Sequence, residues 1–143
     1  MAALVVLATA TSGRAAEGPA PILPDALRWE SPPDNPAVRG AWVLGAERAA
    51  GPYLFRVRLD AGARLRPHVH PDVRHTTVLS GTLWVGFGEV VDDARLVAVP
   101  AGAVYVAPAG VPHWIAARDG AVVYQESGVG PTATTPLGRG SAQ

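Results

Sequence analysis

The sequence predicts a single all-β domain whose short antiparallel strands close into a barrel or a jelly roll. Sixteen glycines and fourteen prolines are spread along the 143 residues, and no long segment with a helical period lies between them. Apolar residues make up 48% of the chain and charged residues 17%, a balance typical of a folded domain with a sizeable core. Turn signals recur at intervals of about ten residues, which is the spacing of short strands in such folds.

The N-terminal segment, residues 1–16, resembles a secretory signal. An apolar run at 2–10 is followed by small residues and by a Gly-x-Ala sequence at 13–15 that is suited to cleavage. No Lys or Arg precedes the run, and the run is too short to span a bilayer. We therefore expect a periplasmic or secreted protein without a membrane span. If the segment is not a signal, a cytoplasmic location is expected instead.

Residues 17–40 are predicted to form a proline-rich arm that lies extended over the surface. The arm contains six prolines, together with four apolar residues that can anchor it. Those apolar residues are Ile22, Leu23, Leu27 and Trp29. The pattern does not distinguish an arm that packs on its own barrel from one that crosses to a neighbouring subunit.

The barrel itself is predicted at residues 41–127. Its clearest strand, 53–59, alternates four apolar residues on one face with Leu54, Arg56 and Arg58 on the other. Strands are predicted at residues 41–44, 53–59, 64–69, 75–79, 82–87, 95–99, 103–107, 113–117 and 121–126. Residues 128–143 lose the pattern and are predicted to be a C-terminal tail that packs only in part.

The four histidines of the chain fall in two short segments bounded by glycine and proline. His68 and His70 are two residues apart in a predicted strand, so both side chains point to the same face. His75 on the next strand and His113 on a later one can converge with them inside a barrel. The chain has no cysteine, which excludes disulfides, thiolate nucleophiles and cysteine zinc sites. This pattern predicts one metal site built from imidazoles.

These two segments resemble the two sequence motifs of the cupin family. Segment 62–81 is similar to the first motif, in which a glycine, His-x-His, an acidic residue and a second glycine follow one another. Segment 102–113 is similar to the second motif and has its two glycines, its proline and its histidine in order. The resemblance covers about residues 51–126. It implies a single cupin-type β-barrel, and it implies a homodimer because cupins commonly pair edge strands.

The third ligand of the first motif is where the chain departs from the cupin pattern. Cupins usually place a glutamate there, and no glutamate lies between His70 and Gly81. Counted back from Gly81 the position falls on Arg74, and counted forward from His70 it falls on His75. Adjacent strand residues point to opposite faces, so only one of the two can face inward. We expect His75 to face inward and to be the ligand, which gives a site of four imidazoles. With Arg74 inside, three imidazoles would remain beside a cation, because arginine cannot ligate a metal.

The predicted ligands are neutral, so a bound metal would keep its full positive charge. Such a set suits a divalent transition metal, and we expect Fe, Ni, Cu, Mn or Zn. Imidazole ligands must be unprotonated. We therefore expect the metal to be lost as the pH falls through the ordinary imidazole range.

The cupin resemblance implies a metal-dependent enzyme that acts on a small oxygenated organic molecule by dioxygenase or by isomerase or lyase chemistry. Arg56 can hold an anionic group of such a substrate, and Glu126 can carry a proton. In a simpler account Arg56 pairs with surface carboxylates and Glu126 is an ordinary core or surface residue. The alternative function is a non-catalytic cupin module that binds a small molecule or a metal. No nucleic-acid partner is expected, because 12 basic and 12 acidic residues cancel and no basic stripe is present.

Overall fold

The computed structural model of the protein describes residues 18–138 and shows two five-stranded antiparallel sheets with the core between them. The strands are β1 (Val38–Leu44), β2 (Gly51–Leu59), β3 (Arg64–Val69), β4 (Arg74–Ser80), β5 (Thr82–Phe87), β6 (Val97–Pro100), β7 (Val104–Ala107), β8 (His113–Ala116), β9 (Val122–Gly130) and β10 (Thr135–Pro136). One sheet has the order β1-β2-β9-β4-β7 and the other β10-β3-β8-β5-β6. Short 3-10 helices lie at Pro24–Ala26 and Asp93–Arg95. Every predicted strand overlaps an observed one, which confirms the all-β jelly roll.

The core forms where alternate residues of each strand point inward. In β2 the side chains of Val57 and Leu59 are buried, whereas Arg58 between them is exposed. Strand β8 is buried at all four of its positions, because it is the central strand of its sheet and is covered on both faces. His113 is the first residue of this strand, so the fold places its imidazole in the interior.

The N-terminal arm folds back along its own barrel. Glu30 and Gly40 exchange two backbone hydrogen bonds of 2.9 and 2.8 Å. The guanidinium carbon of Arg58 lies 4.1 Å from the centre of the Trp29 ring, which is a cation–π contact. Strand β1 begins at Val38, so regular structure starts inside the predicted arm. The sequence left open whether the arm packs on its own barrel or crosses to a neighbouring subunit. In the described residues the arm contacts its own barrel.

The C-terminal tail contributes more structure than the sequence indicated. Strand β9 continues to Gly130, and β10 pairs with β3, with Pro136 opposite His68. Residues 131–134 join β9 to β10. Because β10 pairs with β3, these residues lie beside the strand that carries His68. This pairing extends the second sheet by one strand.

Two predicted features fall outside the described part of the chain. They are the signal-like segment 1–16 and the end of the tail, residues 139–143. Export of the protein therefore stays a prediction. Within residues 18–138, no helix has the length and apolar character needed to cross a membrane.

Candidate metal centre

Three of the four histidines meet inside the barrel. His68 lies in β3, His70 directly follows that strand, and His113 opens β8. Because β3 and β8 are antiparallel neighbours with His68 opposite His113, the strand register brings these two rings together. The candidate ligand nitrogens of the three residues all lie within 4.8 Å of one another, and all three side chains are buried. Such a cluster suits a shared metal ion.

The backbone decides which nitrogen of each ring is available. Each Nδ1 lies within hydrogen-bonding distance of a backbone carbonyl oxygen. The pairs are His68 with Arg66 at 2.7 Å, His70 with Ala133 at 2.9 Å and His113 with Val111 at 3.1 Å. A carbonyl oxygen only accepts, so each Nδ1 carries the proton and each Nε2 keeps a free lone pair. The Nε2 of His70 is buried without a hydrogen-bond partner among the described residues. A metal ion would satisfy it, so the residues fit a metal.

His75 does not join this cluster. In β4 the side chains of Arg74 and Thr76 are buried, whereas His75 between them is exposed on the outer face of the sheet. The pleat turns adjacent side chains to opposite faces, so Arg74 and His75 cannot both face inward. The structure therefore corrects the expected site of four imidazoles to a cluster of three beside the Arg74 cation.

Arg74 is held in the interior by an ion pair and two further hydrogen bonds. Its Nη1 donates to Glu126 Oε2 at 2.6 Å. Its Nη2 donates to Thr132 Oγ1 at 2.8 Å and to the Ala133 carbonyl at 3.2 Å. Arg74 and Glu126 are each only 5% exposed. Removal of one partner would leave the other charge buried and uncompensated, so the pair is expected to act as a unit.

The segment 131–134 links this ion pair to the histidines. The carbonyl oxygen of Ala133 accepts hydrogen bonds from both Arg74 and the Nδ1 of His70. Thr132 donates to a carboxylate oxygen of Asp72, which ties the segment to the turn before β4. Sequence reasoning missed these positions because the tail carries no motif. Only the pairing of β10 with β3 brings the tail to the site.

The cluster borders a cavity of about 750 Å³. Outside the arm, its polar lining is provided by His68, His70, Arg74, Glu126 and Thr134. Its apolar and aromatic walls are Val38, Trp42, Phe55, Val57, Leu65 and Tyr124. The arm contributes Ala26, Arg28, Glu30, Ser31 and Pro32. A cavity of this volume is large enough for a drug-sized organic molecule.

The two residues that the sequence suggested for catalysis lie in different places. Glu126 lines the cavity, as described above. Arg56 is not part of the cavity lining. It lies on the other face of β2, where its Nε and Nη2 donate to Gln125 Oε1 at 3.2 and 2.7 Å. Arg56 therefore lies outside the cavity, and its partner is the amide of Gln125 rather than the surface carboxylate of the simpler account.

Burial makes the neutral form of each clustered imidazole the stable one. Desolvation lowers the pKa of His68 to about 4 and that of His70 to about 3, and it also lowers the pKa of His113. The positive charge of Arg74 contributes to the lowered pKa of all three rings, after desolvation. The neutral ring is the form that binds a metal. Metal loss is therefore expected at a lower pH than the ordinary imidazole range.

Solved structures of several enzymes are similar to this chain at low sequence identity. The polyketide cyclase RemF from Streptomyces resistomycificus has a TM-score of 0.71 and 14% identity, over 87% of this chain and 89% of that one. DMSP lyase DddQ from Ruegeria pomeroyi DSS-3 has a TM-score of 0.65 and 15% identity, over 79% of this chain and 62% of that one. A salicylate 1,2-dioxygenase from Pseudoaminobacter salicylatoxidans has a TM-score of 0.59 and 16% identity, over 73% and 30% of the two chains. At such identities the likeness shows the fold alone.

Sequence comparison places the chain in a family. A search among curated proteins finds no match. The family model described as Cupin matches residues 47–140, which is more than half of the 143-residue chain. The matched range contains the three clustered histidines and both glycine-bounded motifs. The chain therefore belongs to the cupin family.

Proposed function

We propose that this protein is a metal-dependent enzyme that acts on a small oxygenated organic molecule. One observation carries the proposal. Three imidazoles are clustered with each Nδ1 bound to a carbonyl, so that each Nε2 is available, and two of the three, His68 and His70, line a cavity large enough for an organic substrate. Three protein ligands leave coordination positions free for substrate oxygens.

His68, His70 and His113 would hold the metal, and their nitrogen donors suit Fe, Ni, Cu, Mn or Zn. When bound, the metal supplies Lewis-acid chemistry and, if it is redox-active, dioxygen chemistry. The apolar walls of the cavity would pack against the apolar part of a substrate, and the carbonyl contacts hold each ring in one orientation.

Glu126 is the proton carrier that we propose for this site. One of its carboxylate oxygens is held by Arg74, which orients the group in the cavity lining. Burial raises the pKa of Glu126, although the charge of Arg74 opposes the rise. A carboxyl group with a raised pKa is more readily protonated than an ordinary one, so it is suited to accept a proton and return it. Arg56 lies outside the cavity and has no role in this proposal.

Two reaction classes are proposed. One is dioxygenase chemistry and the other is isomerase or lyase chemistry, since the similar solved structures include a dioxygenase, a lyase and a cyclase. The second candidate function is a non-catalytic binding module, which the apolar walls favour. Glu126 lines the same cavity as His68 and His70, and this favours the enzyme, because a wholly apolar pocket would offer no proton carrier.

Elemental analysis of protein purified without added metal tests the proposal. We expect about one transition-metal ion per chain in the wild type and in the His75→Ala variant, and strong loss of metal in His113→Ala. His75→Ala is the matched control, since this histidine lies on the outer face of the sheet. Metal-free wild-type protein, or equal metal loss in the two variants, would contradict the proposed site.

We also propose that the protein is exported and forms a homodimer. The signal-like segment 1–16 supports export, and the resemblance to cupins supports the dimer. Mass spectrometry of the mature N-terminus tests the first proposal, and light scattering of the purified protein tests the second. An uncleaved N-terminus would favour a cytoplasmic location, and a monomeric mass would refute the dimer.

A further inference from the structure

The guanidinium of Arg74 lies between two buried carboxylates. Its Nη1 donates to Glu126 Oε2 at 2.6 Å, and its Nε lies 3.8 Å from Asp72 Oδ1. None of the three side chains is more than 10% exposed. With both carboxylates ionised, the three groups together would carry one negative charge in excess of their one cation. Burial makes such an excess charge costly, and the uptake of one proton removes it.

The two carboxylates lie on different sides of Arg74. Glu126 lines the cavity on which His68 and His70 also open, whereas Asp72 is not part of that lining. Asp72 lines a separate groove together with His75, which is on the outer face of the sheet. A ligand in the cavity can therefore meet Glu126, while Asp72 lies behind Arg74 as seen from the cavity.

Two hydroxyl groups fix the Asp72 carboxylate in this position. Tyr53 Oη donates to Asp72 Oδ2 at 2.6 Å, and Thr132 Oγ1 donates to Asp72 Oδ1. The Thr132 hydroxyl also accepts from Arg74 Nη2 at 2.8 Å, so it ties the carboxylate to the guanidinium. A Cβ at Gly128 would lie 2.6 Å from Asp72 Oδ2 and 2.5 Å from Tyr53 Oη, so this contact needs a residue without a side chain there. The network holds Asp72 in one orientation beside Arg74.

The protonation of Glu126 depends on both charges of this network. Burial raises the pKa of Glu126, the charge of Arg74 lowers it and the charge of Asp72 raises it. Other ionisable groups face Glu126 from neighbouring strands, from the cavity lining and from the arm. The two tyrosines among them stay neutral near neutral pH, because burial raises the pKa of each. These other groups are Tyr105 in β7, Tyr124 in β9, His68 and His70 in the cavity lining, and Arg28 and Glu30 in the arm.

We propose that Asp72 is a positioning residue for the proton carrier Glu126. Its charge holds Arg74 from the side away from the cavity, so the guanidinium keeps a counter-ion while Glu126 carries a proton. The proton binds to the Glu126 carboxylate and leaves from it, and Asp72 exchanges none. Loss of the Glu126 charge is therefore tolerated better than loss of the Arg74 charge, which both carboxylates need. The inference rests on the proposed function, because Glu126 is the proton carrier of that proposal.

Infrared spectroscopy of the protein at a series of pH values tests the inference. The carbonyl stretch of the protonated Glu126 carboxyl group is identified as the band that is absent in Glu126→Gln. Asp72→Asn removes the charge at position 72 and keeps an oxygen that accepts hydrogen bonds. We expect this variant to move the midpoint of the Glu126 band to lower pH by about one unit or more, because Glu126 is then the remaining carboxylate beside Arg74. An unchanged midpoint, or a shift to higher pH, would overturn the proposal.

Asp93→Asn is the matched control, since Asp93 pairs with Arg64 at 2.9 Å and both side chains are exposed. This variant should leave the midpoint of the Glu126 band unchanged. A merely structural role for Asp72 would lower the stability of Asp72→Asn without moving the midpoint. A shift of equal size in Asp93→Asn would show an effect of net charge alone and would overturn the assignment to Asp72.

Thermal denaturation gives a second test that does not require Asp72→Asn to fold. Glu126→Gln leaves Arg74 with the Asp72 carboxylate, whereas Arg74→Gln leaves two buried carboxylates without their cation. We expect Glu126→Gln to lower the midpoint temperature by less than about half as much as Arg74→Gln does. Equal losses in the two variants would show that Asp72 does not hold Arg74, and would overturn the proposal.

Metal content separates failure of the inference from failure of the proposed function. Wild-type protein without metal would refute the proposed function, and the inference falls with it as a statement about the proton carrier. Wild-type protein that holds a metal, with no shift of the Glu126 midpoint in Asp72→Asn, would refute the inference alone. If no Glu126 band appears above about pH 4 in the wild type, Glu126 is not a proton carrier, and its proposed role and the inference are both refuted.

Discussion

His70 and His75 are close in the sequence and have opposite surroundings. His70 is 2% exposed, lines the cavity and donates its Nδ1 proton to the Ala133 carbonyl. His75 is exposed on the outer face of β4, and the inward position beside it belongs to Arg74. The comparison shows that strand parity, rather than proximity in the sequence, selects which histidines form the cluster. The interior then carries a cation where a fourth imidazole was expected.

The largest contrast is expected between Arg74→Ala and His75→Ala. Removal of Arg74 leaves Glu126 buried without its partner, so we expect a loss of about 3–5 kcal/mol in the free energy of unfolding. His75→Ala should change that free energy by less than about 0.5 kcal/mol, because the side chain is exposed. Urea denaturation monitored by tryptophan fluorescence measures both. Addition of Glu126→Gln to Arg74→Ala should recover part of the loss. Equal effects of the two single variants would contradict the inward placement of Arg74.

The buried cluster should also make the metal-free protein sensitive to acid. The folded pKa values of His68 and His70, about 4 and about 3, lie below the ordinary value of 6.5. Between these values the unfolded chain binds protons that the folded chain does not, so the free energy of unfolding falls as the pH is lowered through this window. We expect a decrease on the order of 4 kcal/mol between about pH 7 and about pH 5, about half of it from each of the two histidines.

Urea denaturation of chelator-treated protein at several pH values measures this dependence. A His70→Gln variant should show a shallower slope, because one of the proton-binding groups of the unfolded chain is gone. A wild-type stability that stays constant from about pH 7 to about pH 4 would refute the burial of neutral imidazoles.

The smallest expected effect concerns two hydroxyl side chains, Ser127 in β9 and Thr132 in the segment that follows β9. Thr132→Val removes the hydroxyl that accepts from Arg74 and donates to Asp72, which loosens the carbonyl that orients His70. We expect metal affinity to fall about tenfold, measured by competition with a chelator of known affinity. Ser127→Ala is the matched control, since its hydroxyl faces the His75 backbone, and should leave the affinity unchanged. Unchanged affinity in Thr132→Val would show that the segment does not position the ligand.

The all-β fold was predictable because its signals are local. Alternation of side chains in segment 53–59 and glycine or proline at the turns indicate strands without knowledge of any long-range contact. The common orientation of His68 and His70 is equally local, since residues two apart in a strand share a face. His113 was identified from the resemblance of segment 102–113 to the second cupin motif, which is also a local feature of the sequence.

The sequence by itself therefore determined the jelly roll, the strand positions and the three histidines that the structure brings together. Only the tertiary structure decided that Arg74 faces inward, because a shift of one residue in the start of β4 exchanges the two faces and leaves the composition of the strand unchanged. It also decided that Glu126 neutralises Arg74 and that Ala133 orients His70. These contacts join residues more than fifty positions apart and have no local pattern, so they arise only when β9 and β10 take their places in the sheets.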